Sequence, residues 1–176
     1  MNYDKLYREA EMVALLTHKN QTYDVFPYEK HLRDVVDVLK SYGHSGDILI
    51  AGWLHDSIED GNLTYSKIKQ AFGTNVAEIV FAVTDELGRN RKERKIKTYP
   101  KIRACGESAV IVKLADRIAN IEHGQRMGND IVKMYYLEYQ EFRRNLLDPE
   151  HHVAAMMWEK LDQILNYQDK NQEAHA

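Results

Sequence analysis

A single cysteine, Cys105, stands in a chain of 176 residues. It excludes an intramolecular disulfide framework and a multi-cysteine zinc site, and it fits a reducing compartment. No Cys/His motif surrounds it that would mark a catalytic thiol. Proline numbers only 3 and glycine 9, so few positions break a helix. No apolar run approaches the roughly 18 residues of a membrane span. The opening MNYDKLYREAEMV is charged and amphipathic rather than a secretory leader. Positive charge is not in excess either: 24 Lys+Arg against 27 Asp+Glu give a net charge of -3. A protein built mainly to grip nucleic acid has the opposite balance, although a local basic patch is compatible with it. What is present is ordinary for a globular domain, with 44% hydrophobic and 29% charged residues and no repeat, low-complexity block or linker.

The apolar pattern is helical nearly throughout. Residues 2–17 place Leu6, Met12, Val13, Leu15 and Leu16 in a helix-like pattern, and Asn20 to Phe26 read as a polar loop ending at Pro27. A helix from about Tyr28 to Tyr42 carries Leu32, Val35, Val36 and Leu39, with Gly43 as its C-terminal cap. Residues 47–54, DILIAGWL, suit a strand or a buried helix by periodicity alone; helical neighbours favour the helix. Thr64 is placed as the N-cap of a short helix ending at Gly73, and Asn75 as the cap of the next. Residues 88–103 are basic and meet Pro100, which should end or bend a helix. Helices are expected at 107–123, 129–147 and 149–167, with Pro149 in the first turn of the last. The polar tail 168–176 is expected to fray.

Polar residues interrupt apolar helices at a few places. His55-Asp56 closes ILIAGWL, Asp116 sits within IVKLADRIANI, and His31 shares a helix with core-facing Leu32, Val35 and Val36. A carboxylate at a buried surface is costly unless it is paired, hydrogen-bonded or metal-bound. Two histidines and two aspartates offer two nitrogens and two oxygen groups, a set that suits Mn, Fe or Zn better than a thiolate or all-oxygen site. Taken singly, His31 is more often a satisfied core or surface side chain, and Asp116 has Lys113 and Arg117 within reach as ion-pair partners. The combination carries the case.

The series His31, His55-Asp56 and Asp116 resembles the metal-binding signature of the HD superfamily of phosphohydrolases. The segments ILIAGWLHDSIEDGNLTYSKIKQAFGTNVAEIVFAVTD and VIVKLADRIANI are similar to those of the (p)ppGpp hydrolase domain of RelA/SpoT enzymes and their small stand-alone relatives. HKNQTYDVFPYEKH, residues 18–31, resembles the family's opening motif. The likeness spans about residues 3–147 and leaves no room for a nucleotide-transferring synthetase domain. It implies an all-α, single-domain HD-type bundle over residues 1–167, with about eight or nine helices around a metal site. It further implies one divalent ion, typically manganese, on His31, His55, Asp56 and Asp116. The implied activity is a cytoplasmic (p)ppGpp 3′-pyrophosphohydrolase that uses metal-activated water. The implied partner is a nucleotide, a guanosine polyphosphate, with room for a homo-oligomer and no membrane or specific nucleic acid. Adjacent residues on a helix point about 100° apart, so His55 and Asp56 suit neighbouring positions around one ion.

By the same resemblance Glu59 and Asp60 are the acid/base and water-orienting pair. Clustered acids raise one another's pKa, which favours proton exchange near neutral pH; the bland reading is a helix-end charge cluster before Gly61. Lys113, Asp116, Arg117 and Asn120 form a polar stripe on an apolar helix, read as a cleft wall rather than a solvated face. Substrate contacts are expected at Lys19, Gln21, Tyr28, Arg94, Lys95, Arg117, Asn120 and Tyr139. The run GRNRKERKIK would offset a polyphosphate's charge, although charge runs are commonly solvent-facing. Gln21 is followed by Thr22, Tyr23 and Asp24 where alarmone hydrolases carry basic residues that contact the purine. Lys19 remains to contact a base, and Tyr23 offers a stacking surface in their place. Two other readings therefore stand beside the first: a phosphatase of another nucleotide such as NADPH, and a non-catalytic nucleotide sensor on the same fold.

Overall fold

One helix is enclosed over most of its length, and the rest of the chain wraps it. It is α7 (Glu107–Met127), buried from Ala109 to Ile121. The computed structural model describes residues 2–166, so the polar tail expected at 168–176 lies outside the described residues. The other elements are α1 (Tyr3–Thr17), β1 (Thr22–Tyr23), β2 (Phe26–Pro27), α2 (Glu29–Ser41), α3 (Asp47–Leu54), α4 (Tyr65–Phe72), α5 (Thr74–Val83), α6 (Arg91–Cys105), α8 (Ile131–Leu146) and α9 (Ala155–Ile164). The all-α expectation holds, with nine helices among the described residues. α7 packs on α2, α3, α5, α6, α8 and α9, and α1 covers the far side of α3.

Local chemistry explains most boundaries. Asn2 caps α1 by accepting the Lys5 N–H at 3.1 Å, and Thr64 caps α4 by accepting from Lys67 at 3.3 Å. DILIAGWL is the buried helix α3. At Gly52 a Cβ would stand 2.5 Å from Leu39 Cδ1. Glycine there lets α3 approach α2 closely, which brings His55 toward His31.

Several boundaries differ from expectation. The loop at 20–26 contains a small antiparallel hairpin, Thr22 opposite Pro27 and Tyr23 opposite Phe26. Asp24 turns it in the left-handed region at φ 56, which aspartate tolerates better than most residues. Asn75 is not a cap: α5 begins at Thr74 after Gly73, and the Asn75 amide donates to Asp47 at 2.8 Å. Pro100 does not end α6, which runs on to Cys105. Tyr99 and Ile102 are buried on either side of it, and Lys101 bonds the carbonyls of Phe81 and Thr84. That packing outweighs the roughly 3 kcal/mol a proline costs inside a helix. α7 continues past 123 to Met127, where Gly128 closes it at φ 65. α9 starts at Ala155, because Pro149 lies in a turn where the Asp148 carboxylate accepts the Glu150 N–H at 3.0 Å. Ala154 N–H then anchors the helix start to Glu107 of α7 at 3.0 Å.

Candidate metal centre

Three segments deliver four polar side chains to one point. His31 sits in the first turn of α2, His55 and Asp56 follow the last residue of α3, and Asp116 lies midway along α7. The two imidazole Nε2 atoms are 3.2 Å apart. Asp56 Oδ2 stands 2.9 Å from His55 Nε2 and 3.5 Å from His31 Nε2. Asp116 Oδ1 stands 3.5 Å from His31 Nε2 and 3.9 Å from His55 Nε2. Ligand atoms of His31, His55 and Asp116 all lie within 4.8 Å of one another.

This donor set fits a divalent ion. Nitrogen and oxygen ligands bind such ions at about 2.1 Å, so neighbouring donors around one ion stand about 3 Å apart. The His55 Nδ1–H donates to the Gly52 carbonyl at 2.8 Å, which leaves the Nε2 lone pair facing the other donors. The electrostatics agree. Burial disfavours charge on His31, but its hydrogen bonds to Asp116 and Asp56 outweigh burial and push it up to about 9. Burial also opposes charge on Asp116, yet Lys113 and the two histidines hold it well below the usual carboxylate range. Carboxylates that draw a proton onto buried imidazoles favour a cation at the same place.

The ligands are braced from behind. Tyr28 Oη donates to Asp56 Oδ2 at 2.6 Å. Lys113 Nζ pairs with Asp116 Oδ2 at 3.1 Å, and Asn120 Nδ2 donates to Asp116 Oδ1 at 2.6 Å. Lys113 and Asn120 of the polar stripe thus both bond Asp116, and all three side chains are buried.

Residues 55–60 continue as turns after α3, with Asp60 N–H bonded to the Asp56 carbonyl at 2.9 Å. Glu59 Oε2 accepts the Asp85 N–H at 2.9 Å, and its Oε1 is 3.7 Å from Arg94. Both acids have raised pKa values. For Glu59 the causes are burial, then the charges of Asp85 and Asp56; for Asp60 they are burial and Asp56. The direction and the part played by Asp56 match the expectation for three clustered acids, with burial as the largest cause and Asp85 a further one for Glu59. Gln21 reaches this turn, donating Nε2 to the Asp60 carbonyl at 2.6 Å while contacting His18 at 2.7 Å.

Other expected contacts fall elsewhere. Tyr139 is fully buried, with its hydroxyl on Asp162 at 2.8 Å and its ring beside Phe142 and Trp158. It packs α8 against α9 and does not face the cleft. Arg117 turns away from Asp116, since neighbours on a helix diverge by about 100°. Its guanidinium lies 3.8 Å over Phe142 and 4.8 Å over Tyr135, and reaches Glu138 at 3.6 Å. Lys95 is buried and pairs with Asp85 at 2.7 Å. Lys19 is exposed on a shallow cavity shared with Gln21, Asn62, Leu63 and Lys67. The basic run is largely neutralised within the molecule: Arg89 and Lys97 pair with Glu93, and Arg91 with Glu138. Sequence reasoning missed Asp85, which ties Lys95 to the Glu59 main-chain bond. It also missed the Tyr23–Asn120 contact, which spans 97 positions and leaves no trace in local pattern.

A helical bundle that gathers His31, His55-Asp56 and Asp116 around one point has the arrangement after which HD domains are named. The sequence profile of the HD domain matches residues 10–141, and the chain belongs to that family. It is similar to guanosine-3′,5′-bis(diphosphate) 3′-pyrophosphohydrolase MESH1 of Danio rerio, 29% identical over 162 residues, covering 89% of this chain and 90% of that one. With MESH1 of Xenopus tropicalis it shares 35% identity over 126 residues, covering 69% of this chain and 70% of the relative. Among solved structures, one described as a metazoan ortholog of SpoT that hydrolyzes ppGpp superposes with a TM-score of 0.77 at 24% identity, over 92% of this chain and 94% of that one. That superposition speaks to fold. Among the described residues no helix is long and apolar enough to cross a membrane.

Proposed function

We propose that this chain is a metal-dependent (p)ppGpp 3′-pyrophosphohydrolase of the cytoplasm, working with manganese. The observation that carries the reading is the convergence of His31, His55, Asp56 and Asp116 beside two acids of raised pKa, in a family whose similar members are named for this hydrolysis. In the reaction, water and ppGpp give GDP and pyrophosphate. A divalent ion held by His31, His55, Asp56 and Asp116 would supply a Lewis acid able to polarise phosphorus and acidify water.

The chain's own groups do the rest. Glu59 and Asp60 exchange the proton of the attacking water. The Asp85 N–H fixes one Glu59 oxygen, and the other, 3.7 Å from Arg94, is the one proposed for that task. Tyr28 and Lys113 orient and neutralise the two carboxylate ligands. Arg94, 3.7 Å from Glu59, supplies the cation for a substrate phosphate in this reading. Lys19 and Gln21, which line a neighbouring cavity, and Tyr28 and Asn120, which bond the carboxylate ligands, complete the proposed substrate contacts.

One feature favours a second reading. The hairpin offers Tyr23 and Asp24 where a purine tetraphosphate would gain from cations, and Asp24 faces His123 at 3.4 Å. Another nucleotide, such as NADPH losing its 2′-phosphate, is the alternative substrate. A panel of nucleotides incubated with Mn2+ and resolved by product separates the two. Pyrophosphate released from ppGpp, and abolished in Asp56→Ala, is the expected result. Orthophosphate released from NADPH instead would replace it with the phosphatase reading, and tight binding without turnover of any nucleotide would indicate a sensor.

A further inference from the structure

The hairpin β1–β2 is small, yet it touches the candidate centre on two sides. Tyr23 Oη donates to Asn120 Oδ1 at 2.7 Å. Asn120 Nδ2 donates in turn to Asp116 Oδ1 at 2.6 Å and to the Asp116 carbonyl at 2.9 Å. The Tyr23 ring lies against His31, with centroids 4.7 Å apart and planes 32° apart. A single side chain thus meets one proposed ligand directly and another through one amide.

His31 depends on such support. Its Nδ1 is buried with no hydrogen-bond partner among the described residues. A metal-binding imidazole ordinarily takes its orientation from a hydrogen bond made by its second nitrogen, as His55 does with Gly52. For His31, ring packing stands in: Tyr23 on one side and Tyr28, 5.6 Å away at 73°, on another. The hairpin is itself fixed to α7. Asp24 Oδ2 faces His123 Nε2 at 3.4 Å, and the Tyr23 and Phe26 rings contact His123 at 4.5 Å and 6.0 Å. Asp116, Asn120 and His123 lie along one face of α7, so the hairpin and the groups behind the donors rest on the same helix face.

We propose that Tyr23 is a positioning residue of the metal centre, holding Asp116 through the Asn120 amide and His31 through its ring. The inference rests on the metal-dependent phosphohydrolase reading above. It assigns the hairpin a structural duty toward the centre where the sequence reading saw only a stacking surface.

The test is the affinity of the metal-free chain for Mn2+, read from the electron paramagnetic resonance signal of the free ion. Tyr23→Phe removes one hydroxyl and keeps the ring. It should weaken Mn2+ binding about tenfold, the usual order for loss of a group behind the ligands. The melting temperature of the metal-free chain should stay at the wild-type value. Asn120→Ala should weaken binding comparably, and Tyr23→Phe should add little on that background. Wild-type affinity in Tyr23→Phe, or an equal further loss in the double variant, overturns the inference while leaving the proposed function standing. A wild-type chain that binds no Mn2+ overturns both.

Discussion

Each proposed ligand is a residue that would be costly in its position without a partner, and that cost made the site readable. Asp116 within IVKLADRIANI is mostly buried and surrounded by apolar helix, so its presence demanded a cation. Tyr139 marks the opposite case. An aromatic residue on an amphipathic helix reads the same whether it faces a nucleotide or a core, and here it faces the core. Arg117 likewise shared a stripe with Asp116 on paper but diverged by a helical step onto α8. Glu59 yields a prediction at this level. Burial and the neighbouring Asp85 and Asp56 charges raise its pKa, so the folded chain holds this proton more tightly than the unfolded chain. Between the unfolded and folded pKa values, its contribution to stability therefore falls as pH rises. Acting as a base, it must be ionised, so kcat should fall as pH drops through a value above the ordinary glutamate range. Glu59→Gln should lower kcat about 10²–10⁴-fold and remove that acid limb, as measured in a pH–rate profile.

Helices with strong apolar periodicity were legible: α1, α2, α4 and α8 lie within a few residues of where the pattern put them. Elements decided by tertiary contact were not. Pro100 stays inside α6 because buried neighbours hold both halves of that helix, and no local signal reports them. The hairpin at Thr22–Pro27 is too short for alternation to show, and it is held by contacts with α7. The link between α5 and α6 was equally hidden. Lys95 and Asp85 form a buried pair with side chains 11% and 4% exposed. Burial, joined by the nearby Lys113 charge, brings Lys95 down to about 8 even with Asp85 beside it. Removing the carboxylate leaves two cations crowded without their counter-charge. Asp85→Ala should cost about 3–5 kcal/mol, the range for breaking a buried pair, as read by urea denaturation. Replacing both partners with apolar residues of similar volume should recover much of that loss.

The molecule as a whole is a frame around α7, and the frame was foreseen better than its surface. The all-α class, the core faces and the convergence of His31, His55, Asp56 and Asp116 followed from pattern and resemblance. The role of the basic run did not, because Glu93 and Glu138 neutralise much of it from positions that only folding brings near. Binding of an ion by groups from α2, α7 and the turn after α3 must also stabilise the folded state, by about 2.7 kcal/mol at 100 times the dissociation constant. The most direct measurement is the metal content of the chain after metal removal, equilibrium dialysis against Mn2+ and elemental analysis. One ion per wild-type chain and none in a His55→Ala, Asp116→Ala double variant that keeps its helical circular dichroism is the predicted result. A folded wild-type chain that takes up no ion, or a double variant that retains it, would contradict the account.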